Sequence, residues 1–77
     1  MKATLRPKRD SPTAEYAPVE LIARTGNRRI TIRCAGNRIY AVDRFRLHDA
    51  RARQRLTEAD FARLPWQGKG PDPETQP

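Results

Sequence analysis

Two Gly-Asn pairs, Gly26-Asn27 and Gly36-Asn37, separate three stretches in which hydrophobic and polar residues alternate. Glycine accepts a positive φ without a Cβ clash, and asparagine tolerates it better than most residues. Each pair is therefore predicted to be the two-residue loop of a β-hairpin. Together the two loops predict a three-stranded antiparallel meander with strands over 19–25, 28–34 and 38–47.

The two loops also predict which residues lie opposite each other. In the first hairpin, 20 to 24 pair with 33 to 29, and in the second, 31 to 34 pair with 42 to 39. Because side chains alternate between the faces of a strand, this register gives an apolar face and a polar face. The apolar face carries Val19, Leu21, Ala23, Ile30, Ile32, Cys34, Ile39, Ala41, Asp43, Phe45 and Leu47. The polar face carries Glu20, Ile22, Arg24, Arg29, Thr31, Arg33, Tyr40, Val42, Arg44, Arg46 and His48.

A short helix is predicted after the sheet, over Glu58 to Leu64. Thr57 is its N-cap residue, and Asp60, three positions later, completes a capping-box pattern. Pro65 ends the helix, because a proline disfavours helical backbone in the residue before it. The apolar side of this helix is expected to cover the apolar face of the sheet. The predicted fold class is α+β, a small three-stranded antiparallel meander followed by a short C-terminal helix, with flexible N- and C-terminal tails.

The chain has 77 residues and a formal charge of +7, which allows one small domain at most. Residues 1–18 carry prolines and no hydrophobic period, so they are predicted to be a flexible basic arm. Residues 67–77 are polar and turn-forming, so a disordered tail is predicted there. The β-β-β-α domain over 19–66 is close to the lower size limit for a stable core. Self-association, or a place in a larger assembly, would cover more of its surface.

Several function classes find no support in the sequence. With one cysteine and one histidine, the chain lacks an internal disulfide and the ligands of a structural zinc site. It contains no membrane-spanning run, no signal-peptide core and no glycine-rich phosphate loop. Cys34 is expected to be a buried structural residue, and the carboxylates form no pair suited to acid–base chemistry. We therefore expect a non-enzymatic protein without cofactor or membrane contact, in the cytoplasm or, if phage-encoded, in the virion.

The predicted polar face is rich in arginine, and Arg24, Arg29 and Arg44 form one cross-strand row. Like charges directly opposite each other destabilise a sheet, so an anion is expected at this row. Phosphates, an acidic protein surface, or the tail carboxylates Asp72 and Glu74 are the candidates. The same pattern would also arise without a partner. The arginine side chains would then point apart with their charges screened by water, and the arginine content would reflect a GC-rich genome. The candidate binding residues are Arg24, Arg29, Arg33, Tyr40, Arg44 and Arg46.

The basic face predicts binding to an anionic partner, with nucleic acid as the first hypothesis. Guanidinium groups suit phosphate. The predicted polar face carries one aromatic residue, Tyr40, whereas sheets that read single-stranded RNA use two or three. Binding dominated by the backbone, sensitive to salt and weakly selective is therefore expected. In size and layout the chain is similar to phage-encoded accessory proteins, such as anti-CRISPR inhibitors and small virion components. That likeness implies the alternative, a module that binds another protein through the same face or a free strand edge.

Overall fold

The computed structural model describes residues 1–7 and 15–72. These residues form five strands and one α-helix, joined in part by two 3₁₀ turns. The strands are β1 (Lys2–Leu5), β2 (Ala17–Gly26), β3 (Arg29–Arg33), β4 (Ile39–Asp43) and β5 (Leu47–His48), and the helix is α1 (Glu58–Ala62). The first 3₁₀ turn (Ala35–Asn37) precedes β4, and the second (Arg44–Arg46) precedes β5. All strand pairs are antiparallel, in the order β4-β3-β2-β1-β5.

This strand order forces the sheet to curl. β4 and β5 lie at opposite edges, and in a flat sheet those edges would be about 19 Å apart at the usual strand spacing of about 4.8 Å. Only the second 3₁₀ turn separates Asp43 from Leu47, and a segment of that length spans about 14 Å even when fully extended. The sheet therefore bends into a half-barrel, with its two edge strands connected by the 3₁₀ turn.

The concave side of the half-barrel contains the core. β2 and β3 contribute two residues each, β1, β4 and β5 add one residue each, and the helical segment covers the cluster with two residues. The buried cluster consists of Ala3, Val19, Leu21, Ile30, Ile32, Val42, Leu47, Phe61 and Leu64. Leu5, Cys34 and Leu56 pack against it while remaining partly exposed. Burial of these apolar side chains is the main force that stabilises the fold.

The predicted fold class, a three-stranded meander followed by a helix, is wrong. Lys2–Leu5, which the sequence pattern assigns to a flexible arm, form a strand in the interior of the sheet, paired with β2 on one side and β5 on the other. The sequence pattern does not reveal this strand, because four residues are too few to show a hydrophobic period. Backbone hydrogen bonds to the strands on both sides hold β1 in the sheet. Ala17 and Pro18, the end of the predicted arm, belong to β2. Residues 8–14 of the arm and 73–77 of the predicted tail lie outside the described residues.

The first hairpin has the predicted partners at its far end and different ones near its loop. Glu20 pairs with Arg33 and Leu21 with Ile32, as predicted. Closer to the loop, β2 has two register irregularities, one between residues 21 and 23 and one between residues 24 and 26. Each bulge places an extra residue on β2 and shifts the partners beyond it. The loop residues are consequently 27 and 28 rather than the Gly-Asn pair itself.

The second hairpin is shifted by one residue from the predicted register. Its reversal is the three-residue 3₁₀ turn Ala35–Asn37, within which Gly36 has a φ of 75° and Asn37 a φ of 59°. The additional loop residue exchanges the faces of β4. Val42, predicted to face outward, is 8% exposed, whereas Ile39, predicted to face the core, is 59% exposed. Beyond β4 the predicted faces are wrong for Phe45, which is exposed, and for His48, which is buried, whereas Leu47 is buried as predicted.

The start of α1 agrees with the predicted capping box. The Thr57 hydroxyl accepts the Asp60 backbone N–H, and the Asp60 carboxylate accepts the Thr57 backbone N–H at 2.8 Å. The hydrogen bond from the Thr57 backbone, followed by one from its hydroxyl, lowers the pKa of Asp60 below its ordinary value. The helix itself is shorter than predicted, because Arg63 already serves as its C-cap.

Residues 65–72, the C-terminal strap, cross β2 at Arg24. The Arg24 backbone N–H and carbonyl each hydrogen-bond the strap at 2.8 Å, which gives a short parallel bridge between Arg24 and Trp66. Gly68 packs against the Trp66 ring so closely that a Cβ there would collide with it and lie 2.7 Å from the Thr25 carbonyl oxygen. The strap thus brings the end of the chain back to the arginines of β2.

Candidate anion-binding site

One end of the half-barrel carries two adjacent clefts bordered by arginine side chains. The first, of about 120 Å³, lies between the β2–β3 turn, the second 3₁₀ turn and α1, and the second, of about 180 Å³, continues from it across Arg44 and Phe61. Their lining includes one acidic residue, Glu58, and five arginines, which we call the arginine end: Arg24, Arg28, Arg29, Arg44 and Arg55.

Arg24 is the most enclosed of these arginines. Its two terminal nitrogens donate to the two Asp72 carboxylate oxygens at 2.8 and 2.6 Å, and its Nε donates to the Leu64 carbonyl at 3.1 Å. The side chains of Arg24 and Asp72 are 11% and 13% exposed. A fork-to-fork pair of this kind is strong and directional. Arg24 is therefore paired with Asp72, a tail carboxylate that was among the anions considered for this row of arginines. Glu74 lies outside the described residues.

Arg44 is engaged as well, but in a more open setting. Its guanidinium donates to Glu58 at 3.1 Å and lies 5.9 Å from the centre of the Phe61 ring. The Glu58 side chain is almost fully exposed, so solvent screens this pair and its contribution to stability is small. Glu58 therefore meets Arg44 at the solvent-exposed side of the second cleft.

Phe45 lies on the surface between two arginines. The Arg28 guanidinium is 4.2 Å from the centre of the Phe45 ring, and the Arg55 guanidinium is 5.5 Å from it. Within residues 1–7 and 15–72, neither guanidinium forms an ion pair or a hydrogen bond with another side chain. Sequence reasoning missed this group, because the predicted register put Phe45 in the core and Arg28 beside a loop. The only available signal was the recurrence of arginine around an aromatic residue at 44–46.

The structure divides the six candidate residues into two sets. Arg24, Arg29 and Arg44 line the first cleft, although they are not directly opposed partners as the predicted register had them. The other three lie away from the two clefts. Arg33 faces Glu20 at 3.7 Å. Arg46 donates to the Arg6 carbonyl, and Tyr40 lines a shallow groove beside Arg46.

Cys34 and His48 do not line either of the two clefts. No group of three or more His, Cys, Asp and Glu side chains is close enough within 1–7 and 15–72 to hold a metal ion. Cys34 packs against the core cluster. The His48 ring is buried with its edge against Tyr16, at 5.1 Å between ring centres, and its Nδ1 has no hydrogen-bond partner in the described part of the chain.

The longest helix among the described residues, α1, is much too short to cross a membrane. No family model, no curated protein and no solved structure matches this chain. The arginine end is therefore interpreted from its own geometry and charge.

Proposed function

We propose that this chain is a small non-enzymatic basic protein that binds nucleic acid, with the arginine end in contact with the phosphate backbone. The observation that carries the proposal is the convergence of five arginines from three separate segments on two adjoining clefts lined by a single acidic residue. Guanidinium groups are weakly hydrated planar donors that match phosphate oxygens. The net charge of +7 adds long-range attraction to a polyanion.

Recognition of the backbone fits this surface better than recognition of bases. Exposed aromatic side chains are few and dispersed in the described residues: Tyr16, Tyr40 and Phe45. Sheet surfaces that read single-stranded RNA stack two or three bases on neighbouring aromatics. Binding dominated by phosphate contacts is weakly selective and weakens steeply with salt. The same proposal places the protein in the cytoplasm, or in the virion if the gene is phage-encoded.

The test is a titration of fluorescein-labelled 20-mer DNA, single-stranded and duplex, followed by anisotropy at several salt concentrations. We expect log Kd to rise linearly with log salt for the native protein. Arg29→Ala should reduce that slope by about one, since it removes about one phosphate contact. Arg33→Ala is the matched control, because Arg33 is also an exposed β3 arginine but lies away from the clefts. An affinity that does not change with salt, or equal effects of the two variants, would reject the proposal.

β4 favours a second candidate function, in which the chain binds another protein. That protein would be the target of a phage inhibitor or a capsid component. This strand is an edge of the half-barrel, and its Ile39 and Tyr40 side chains are 59% and 47% exposed. An exposed edge strand can pair with a strand of another chain. Ile39→Lys should abolish capture of a specific protein from nuclease-treated lysate while leaving DNA binding intact. If the lysate yields only nucleic acid before nuclease treatment, and no protein afterwards, this candidate is wrong.

A further inference from the structure

Arg28 holds a backbone conformation that arginine rarely adopts. Its φ is 66°, in the left-handed region, where a side chain is strained and glycine or asparagine is favoured. It lies in the two-residue loop between Gly26 and Arg29. Strain that a fold retains at one position is a reason to ask what that side chain does.

The Arg28 side chain lies against the Phe45 ring, and hydrogen bonds hold the backbone around Phe45 in place. The Phe45 backbone N–H donates to the Asp43 carboxylate at 2.9 Å, and the Arg44 N–H donates to the Arg28 carbonyl at 3.0 Å. These bonds tie the β2–β3 turn to the second 3₁₀ turn. The Phe45 backbone and the Arg28 backbone are thus held close to each other, and neither bond uses the Arg28 guanidinium.

The other arginines of the curled sheet differ from Arg28 and Arg55 in one respect. Most of them already have an oxygen acceptor: Asp72 for Arg24, Glu58 for Arg44, Glu20 for Arg33 and the Arg6 carbonyl for Arg46. Arg28 and Arg55 instead lie over an exposed aromatic ring, which orients a guanidinium by its face and leaves its N–H groups available. They are two oriented cations without an anion among the described residues.

We propose that Arg28, Phe45 and Arg55 form a clamp for one phosphate group, in which Phe45 is a positioning residue and the two guanidiniums donate to the phosphate oxygens. This inference rests on the proposed function and specifies its ligand as the phosphodiester group rather than the base. Since both guanidiniums already lie over the Phe45 ring, we expect the ring to position them rather than to stack on a base. The clamp should therefore hold single-stranded and duplex nucleic acid alike.

The test measures the affinity of three variants for the same single-stranded and duplex 20-mers at fixed low salt. Phe45→Leu removes the aromatic ring and keeps an exposed apolar side chain, and we expect a five- to tenfold weakening for both substrates. Phe45→Trp should retain the native affinity, because indole is the best cation–π partner. Tyr40→Leu, at an almost equally exposed aromatic away from these arginines, should have no effect.

Arg28→Gly separates binding from folding. Glycine accepts the positive φ at this position, so the variant should keep or raise the Tm of the native protein while its affinity falls five- to tenfold. A fall in affinity together with a fall in Tm would assign a structural role and overturn the clamp. A weakening by Phe45→Leu confined to single strands would assign base stacking instead and would also overturn it.

The outcomes distinguish this inference from the function on which it rests. If the native protein binds neither substrate, both are wrong. If it binds both with a steep salt dependence, but Phe45→Leu and Arg28→Gly bind as tightly as the native protein, the proposed function survives and the clamp is rejected.

Discussion

β1 and β4 are strands of similar length that hold opposite positions in the sheet. β1 is in the interior, hydrogen-bonded to β2 and β5, and two of its four residues, Ala3 and Thr4, are buried. β4 is an edge strand bonded to β3 alone, and only Val42 of its five residues is buried. The strand with the smaller and more polar side chains thus lies in the middle of the sheet, and the more hydrophobic one lies at its edge.

The difference shows that hydrophobicity alone does not decide the position of a strand in this sheet. A strand between two neighbours has its N–H and C=O groups satisfied on both sides. Small side chains such as Ala3 can lie within a curled sheet without crowding its interior. An edge strand keeps one row of backbone groups unpaired, and in β4 the side chains around that row are exposed. Loss of β1 should therefore harm the fold more than changes on the surface of β4.

The largest effect is expected from deletion of residues 1–6. The deletion removes β1, the partner of β5, and also the bond from the Leu21 N–H to the Met1 carbonyl at 2.8 Å. We expect the truncated protein to lose cooperative thermal unfolding, measured by circular dichroism, and dispersed amide signals in NMR spectra. The double variant Lys2→Gln, Arg6→Gln is the control for the two lost charges and should melt like the native protein. A truncated chain with a native melting curve would show that β1 is dispensable.

The next effect compares neighbouring residues of β4. Val42 is buried and Ala41 exposed, so Val42→Asp buries a charge and should destabilise the fold by about 3 kcal/mol or more. Ala41→Asp should change the stability by about 0.5 kcal/mol or less. Urea unfolding of both variants measures the difference. The reverse ranking would restore the register in which Ala41 faces the core.

A smaller effect is expected where β1 meets the loop after β5. The buried Thr4 hydroxyl donates to the Asp49 carbonyl at 2.8 Å. Thr4→Val keeps the shape, removes the donor and leaves that carbonyl without its partner, which should cost about 1–2 kcal/mol. Thr31→Val, which removes a hydroxyl contact at a less buried position, should cost less. If urea unfolding shows the same loss of unfolding free energy for both variants, the idea that β1 contributes more to stability is contradicted.

The smallest effect is expected at the N-cap of α1, whose hydrogen bonds join Thr57 and Asp60 and involve neither strand. Thr57→Ala removes the cap and should lower the Tm by a few degrees at neutral pH. Because the pKa of Asp60 is lowered in the folded state, its capping contribution is present above the ordinary value of 3.8 and is lost as the pH falls through the lower folded value. The Tm difference between the native protein and Thr57→Ala should therefore shrink between pH 5 and pH 2.5. A difference independent of pH would mean that the bond between the Thr57 hydroxyl and the Asp60 carboxylate does not contribute.

Part of the candidate site was accessible from the sequence. The pattern placed Arg24, Arg29 and Arg44 near each other, and all three line one cleft, although through different strand partners. It also included Asp72 among the anions considered for them. The stack of Arg28 and Arg55 on Phe45 was not accessible, because it depends on a turn whose length and register the Gly-Asn pairs do not determine.

The sequence by itself determined the elements that depend on near neighbours. Alternation in β2 and β3 put Leu21, Ile30 and Ile32 into the core, and Thr57 with Asp60 started α1. Only the tertiary structure decided that Lys2–Leu5 join the sheet, that β4 presents Val42 inward, and that Asp72 returns to Arg24. The physical reason is that each of these depends on partners distant in the chain, or on one additional loop residue that exchanges both faces of a strand.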